Sequence, residues 1–210
     1  MQIAVLGLGR FGIQLATSLE EEGHEVLAID ANETVVQNIA PRLTKTAIAD
    51  ITDEQALRDL GVANMDVGVV STAVIEANVL AVMNLQLLEV PTIYAKAQSS
   101  RHATMLSRIG VQRVIEPEKE GGLRFAHLIR LPHAKDYLSL SRDYGIAIYE
   151  PPPRLYGVSL EQLDDDGSTR RLLMLVRDNE VHVNPVRSET IKAADLLIFA
   201  GEDDDLTETL

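Results

Sequence analysis

The chain reads as an α/β protein: a doubly wound parallel sheet followed by a small α+β lobe. Short apolar runs alternate with helical segments from Met1 to about Leu131, as parallel strands joined by crossover helices do. Gly7, Gly9 and Gly12, spaced as G-x-G-x-x-G, separate the first apolar run from the first helical segment. After His133 the alternation gives way to proline-punctuated, strand-rich sequence, so the expected domains are residues 1–133 and 134–210.

The first strand is predicted over Gln2 to Leu6, because Ile3 to Leu6 form an uninterrupted apolar run of the kind buried on both faces of a sheet. Each glycine after it answers a steric need. Gly7 lets the chain leave the strand in a tight turn, Gly9 removes the Cβ that would hold a phosphate off the backbone, and Gly12 lets the next helix approach the strand. That helix, Ile13 to Glu22, turns Leu15, Ala16 and Leu19 inward and aims its unpaired N–H groups at the turn. The second strand, Glu25 to Asp30, ends in a carboxylate roughly 20 residues past the glycines, where it can accept both hydroxyls of a ribose. Asn32 is placed to cap the following helix. Further strands are predicted at Thr46 to Ala49, Val67 to Ser71, Thr92 to Ala97 and Arg113 to Ile115. These six strands form one Rossmann-like unit, whose ligands lie beyond the carboxyl ends of the strands. Those ends carry Gly7 to Gly12, Asp30, Asp50, Ser71 to Ala73, Lys96 and Glu116 to Glu118.

The helix predicted over Val74 to Leu88 is apolar around nearly its whole circumference. Covering one face of a sheet needs a single apolar stripe, so the remainder predicts self-association. A crossover helix, Glu118 to Leu131, leads to the second lobe. There a strand pair near Tyr137 to Arg142 and Gly145 to Tyr149 precedes a rigid linker, Pro151 to Pro153. Strands follow at Leu172 to Val176, Val181 to Val183 and Leu196 to Ala200, with short helices at Ser159 to Leu163 and Glu189 to Ala193. A lobe this small is near the lower limit for an independent core and is expected to need a partner surface.

Among 210 residues, 46% are hydrophobic and none is cysteine, which excludes disulfides, thiolate metal sites and a cysteine nucleophile. No apolar stretch approaches the ~20 residues of a membrane span, and Met1 leads straight into a strand, so a cytoplasmic protein without a cleavable signal is expected. The net charge of −13 argues against nucleic acid and anionic lipid as direct partners. The acidic clusters Asp164 to Asp166 and Glu202 to Asp205 read as solvated turns and tail.

Catalysis with a nicotinamide would need a proton donor beside the hydride acceptor. None of the five histidines is well placed, and no Tyr-x-x-x-Lys pair occurs, so an enzyme is not expected. A small NAD-dependent oxidoreductase is the alternative. Arg10, inside the glycine turn, can reach terminal phosphates with its planar fork, and Lys96 can add a second positive charge. Glu118 fits beside phosphates only with a divalent cation between them, or else as a favourable acid at a helix start.

The motifs resemble a known family. GLGRFG at Gly7 to Gly12, IDAN at Ile29 to Asn32, ADITD at Ala49 to Asp53, VST at Val70 to Thr72, AKAQ at Ala95 to Gln98 and PEKE at Pro117 to Glu120 are similar to those of the regulator-of-potassium-conductance (RCK or KTN) domains, most closely the KtrA-type, TrkA-like subunits. The resemblance implies ADP, ATP or NAD(H) bound against Gly7, Gly9, Arg10, Phe11, Gly12, Asp30, Asn32, Asp50, Ile51, Ser71, Thr72, Ala73 and Lys96. Arg10 and Lys96 would serve the phosphates, Asp30 the ribose and Asp50 the adenosine end. It also implies magnesium or calcium held by Glu118 at a dimer interface. Dimers would assemble into an octameric ring beneath a KtrB- or TrkH-like potassium-conducting membrane subunit, the chain's one link to the membrane. The helices from Val74 and from Ser100 would form the ring contacts. The second lobe resembles the RCK-C (TrkA-C) module, which in some relatives binds cyclic di-AMP; here Arg170, Arg171, Asn184 and Pro185 are the polar candidates.

Overall fold

A computed structural model describes residues 1–131, 133–164 and 169–207. The chain divides into two compact units, Met1–Pro117 and Glu118–Leu210. The first holds strands β1 (Gln2–Leu6), β2 (Glu25–Asp30), β3 (Lys45–Ile48), β4 (Val67–Val70), β5 (Thr92–Lys96) and β6 (Arg113–Ile115). All pair in parallel, in the order β3-β2-β1-β4-β5-β6. The direction of winding reverses between β1 and β4, which opens a crevice at their carboxyl ends.

Side-chain alternation along the strands feeds two cores. Ile3, Val5, Val26, Ala28 and Val69 face helix α1 (Arg10–Glu21) and helix α2 (Glu33–Ile39) through Ala16, Val36 and Ile39. Ala4, Leu6, Leu27, Ile29 and Val70 face the other way. They meet Leu57 of α3 (Glu54–Asp59), Ala81, Val82 and Leu85 of α4 (Ile75–Leu87), and Leu106 of α5 (Ser100–Ile109). Gly68 lets α4 pack close to β4: a Cβ there would lie 2.6 Å from Leu85 Cδ1.

The second unit begins with α6 (Pro117–Arg130), the crossover helix expected within residues 1–133. The Leu128 and Leu131 side chains join the second core, with Tyr137, Tyr149, Leu160, Phe199 and Leu206. Its sheet consists of β7 (Ala134–Ser139), β8 (Tyr144–Tyr149), β9 (Arg171–Arg177), β10 (Glu180–Val183) and β11 (Leu196–Glu202). They run antiparallel in the order β10-β9-β11-β8-β7, with the short helices α7 (Leu160–Asp164) and α8 (Asp203–Thr207).

Two expectations are corrected here. Glu189 to Ala193 is not a helix: Thr190 bridges Ser159 in antiparallel fashion, and Glu189 accepts from Arg177 at 3.0 Å. The Glu202 to Asp205 cluster is solvated only in part, at exposed Glu202 and Asp204. Asp203 is buried, accepts from the Tyr137 hydroxyl at 2.5 Å and lies 3.2 Å from His127 Nδ1, whose ring stacks on Tyr137. Helix α3 was not foreseen; Asp53 caps it by accepting from Ala56 N–H at 3.1 Å. The Asp165 and Asp166 part of the other acidic cluster lies outside the described residues.

Candidate nucleotide site

The turn after β1 is built by its glycines, two of them for steric reasons internal to the fold. Gly7 has φ 94°, and a Cβ on it would lie 2.8 Å from the Thr72 backbone nitrogen. A Cβ on Gly12 would come within 2.5 Å of Ser71 Oγ and overlap the Gly7 carbonyl oxygen. Gly9 is different. A Cβ there would meet nothing within 4 Å, so the chain's own packing does not explain its missing side chain. Space is left where the backbone would approach a ligand.

Gly9 is also the N-cap of α1, with no side chain capping the helix and no acid in its first turn. The first-turn N–H groups have no intrahelical acceptor, and the positive helix end is uncompensated. Arg10 is exposed beside it and makes no ion pair among the described residues. Uncapped donors, an open Cβ position and an unpaired guanidinium fit a phosphate group.

Asp30 ends β2 and clamps the turn. Its Oδ2 accepts from Leu8 N–H at 2.6 Å and its Oδ1 from Asn32 N–H at 2.8 Å. Each oxygen keeps further acceptor capacity, so ribose hydroxyls fit the same carboxylate. Asn32 serves the fold, its Oδ1 accepting from Val35 N–H at 3.3 Å to cap α2. Asp50 is exposed after β3, and hydrogen bonds from the Thr52 amide (2.8 Å) and hydroxyl (2.7 Å) hold its carboxyl below the usual range.

The other sequence candidates divide between the interior and the surface. Ser71 is buried and its hydroxyl donates to the Gly7 carbonyl at 2.5 Å, so it braces the turn. Ile51 is a core side chain, and Phe11 is half-buried on α1. Thr72 accepts from Val74 N–H through its hydroxyl oxygen at 3.3 Å, Ala73 is exposed, and Lys96 is buried at the end of β5. His102 is buried in α5, where its Nδ1 accepts from Gln98 N–H at 3.2 Å; burial pushes its pKa down, which keeps the ring neutral. Glu118 is exposed in the first turn of α6. Among the described residues no three His, Asp or Glu side chains gather to hold a metal.

In the second lobe, the Arg170 guanidinium is buried and donates to the Leu163 carbonyl at 3.2 Å, and Arg171 donates to the Arg170 carbonyl at 2.7 Å. Both candidate arginines thus take part in the lobe's internal bonding. Asn184 is exposed with φ 50°, and Pro185 is buried.

A reversing parallel sheet, a glycine turn open at Gly9 and an antiparallel second lobe define a two-unit protein with a Rossmann-type nucleotide fold. Residues 3–117 match the TrkA-N domain, and the chain belongs to this family. It is 36% identical over 208 residues to Ktr system potassium uptake protein C of Bacillus subtilis (strain 168), covering 98% of this chain and 94% of that protein. Ktr system potassium uptake protein A of the same organism is 32% identical over 207 residues, with 98% and 93% covered. The GsuK channel bound to NAD shares the fold at a TM-score of 0.66 and 18% identity; 98% of this chain is covered, and 38% of that one. Among the described residues no helix is long and apolar enough to cross a membrane.

Proposed function

We propose that this chain is the nucleotide-sensing regulatory subunit of a potassium uptake system, acting from the cytoplasmic side on a potassium-conducting membrane partner. The observation that carries this is the open, uncapped start of α1 at Gly9 with Arg10 unpaired beside it, in a chain similar along nearly its whole length to two Ktr potassium uptake proteins. The NAD of the GsuK channel supports a dinucleotide or an adenine nucleotide as ligand.

The residues divide the work. Gly9 and the first-turn N–H groups of α1 receive the phosphates, Arg10 reaches the terminal one, Asp30 binds the ribose, and Asp50 serves the adenosine end. Leu80, Met83 and Leu87 make an exposed apolar stripe on α4 that supports self-association, with an octameric ring as its finer form. The divalent cation assigned to Glu118 belongs to the same proposal. One carboxylate is a fraction of the six to eight oxygens that calcium takes, so a second copy would have to supply others. Cyclic di-AMP in the second lobe is a further part, with Asn184 as its exposed candidate.

A nucleotide shifts such an assembly only by its difference in affinity between two shapes, ~1.4 kcal/mol per tenfold. Mass spectrometry of nucleotide released from the purified protein, with calorimetric titration of ADP, ATP and NADH, tests the ligand class. Micromolar or tighter binding without turnover is expected. Hydride transfer from bound NADH to a metabolite would establish the oxidoreductase instead.

A further inference from the structure

Helix α4 buries two asparagines in a mostly apolar sequence, and both do the same thing. Asn78 donates to the carbonyls of Thr72 at 3.2 Å and Lys96 at 3.1 Å. Asn84 donates to those of Ile51 at 3.3 Å and Thr52 at 3.0 Å. With only carbonyl acceptors on that side, the amide nitrogen is fixed by the hydrogen-bond network. The four carbonyls lie where the chain leaves β3, β4 and β5, along the edge at which ligands of such sheets sit.

Asparagine suits this place poorly on other grounds. It favours helix less than alanine or leucine, and a buried amide is costly unless fully bonded. Asn78 is 0% exposed and its Oδ1 has no hydrogen-bond partner among the described residues, so the residue stands there despite an unpaired buried acceptor. The outer face of the same helix exposes Leu80, Met83 and Leu87. One short helix therefore grips three ligand-edge connections with its inner face and presents an uncovered apolar stripe with its outer one.

We infer that Asn78 and Asn84 are positioning residues that couple nucleotide occupancy to self-association by making α4 move with those connections. This rests on the nucleotide-sensing function proposed above. When the connections close on a ligand, their carbonyls shift, and directional amide bonds pass the shift to the helix. Apolar packing alone resists sliding less and transmits less, so removing the amides weakens the coupling between sites without removing either site.

The test is sedimentation velocity on the full chain over a concentration series, without nucleotide and with saturating ADP or NADH, beside calorimetry of each nucleotide. For the unaltered protein, at least one nucleotide is expected to change the assembly constant tenfold or more. Asn78→Leu and Asn84→Leu, close in volume but without donors, are expected to bind that nucleotide within about fivefold of normal and to shift assembly less than threefold. Asn78→Ser, which keeps one donor, is expected to fall between, and it decides the matter if the leucine variant does not fold. Leucine and serine variants with the full shift overturn the coupling role and leave nucleotide sensing standing. An unaltered protein that binds nucleotide with no shift overturns the coupling alone, and one that binds none of ADP, NADH and ATP in the calorimetry overturns both.

Discussion

Adding one methyl group to Gly9 and one to Gly12 separates the ligand's requirements from those of the fold. At Gly9 the backbone has φ −71° and ψ −176°, which alanine adopts freely, and the new Cβ touches nothing within 4 Å. Gly9→Ala is therefore expected to leave stability unchanged or raise it by about 0.4–1 kcal/mol through the unfolded chain. The same methyl occupies the space left for a phosphate, and nucleotide affinity is expected to fall at least tenfold, about 1.4 kcal/mol. At Gly12 the Cβ lands 2.5 Å from Ser71 Oγ and inside the Gly7 carbonyl oxygen, which displaces the Ser71-to-Gly7 hydrogen bond of 2.5 Å. Overpacking of about 1–3 kcal/mol and a lost hydrogen bond of about 1 kcal/mol sum to roughly 2–4 kcal/mol of destabilisation. Denaturant titration and calorimetry with ADP, run on both variants, read the two effects separately. Normal nucleotide affinity in Gly9→Ala would refute the assignment of the open space to a phosphate. Normal stability in Gly12→Ala would refute the steric reasoning for the turn.

Burial lowers the pKa of His102 from 6.5, so the unfolded chain takes up a proton that the folded chain resists. This contribution is whole above about pH 6.5 and declines as pH falls from there toward the folded value. Denaturation at pH 8 and 5.5 should show this loss, and His102→Asn should reduce it. Tyr137→Phe removes the hydroxyl bonded to buried Asp203 and is expected to cost about 1–3 kcal/mol in denaturant titration. Met83→Glu, on the exposed stripe of α4, should leave stability within about 0.5 kcal/mol while weakening self-association at least tenfold by sedimentation.

The first unit was legible because its signals are local. The run Ile3 to Leu6, the three glycines and Asp30 lie within one strand–helix–strand stretch, and they recur in the structure as β1, α1 and β2. Strand boundaries differ by a residue, as where β3 spans Lys45–Ile48 instead of Thr46 to Ala49. What escaped depends on contacts distant in sequence. Asp203 looked solvated because its neighbours are acids, yet Tyr137, 66 positions away, holds it inside. Glu189 has the composition of a helix start, but its bond from Arg177 and the Thr190 bridge to Ser159 tie the segment to its neighbours instead. Ser71 ends β4 at the ligand edge of the sheet, and its hydroxyl turns back to Gly7. Asn78 and Asn84 sit in a helix whose pattern is dominated by apolar residues. The signal was there: a polar amide in such a setting has to be bonded to something.

Small-angle scattering of the full chain, saturated in turn with ATP and with ADP, addresses the regulatory function most directly. Nucleotide sensing through Arg10 and the start of α1 predicts two distinguishable assemblies, and predicts that Arg10→Ala abolishes the difference. Identical profiles with both nucleotides, at concentrations where calorimetry shows each to be bound, would contradict it.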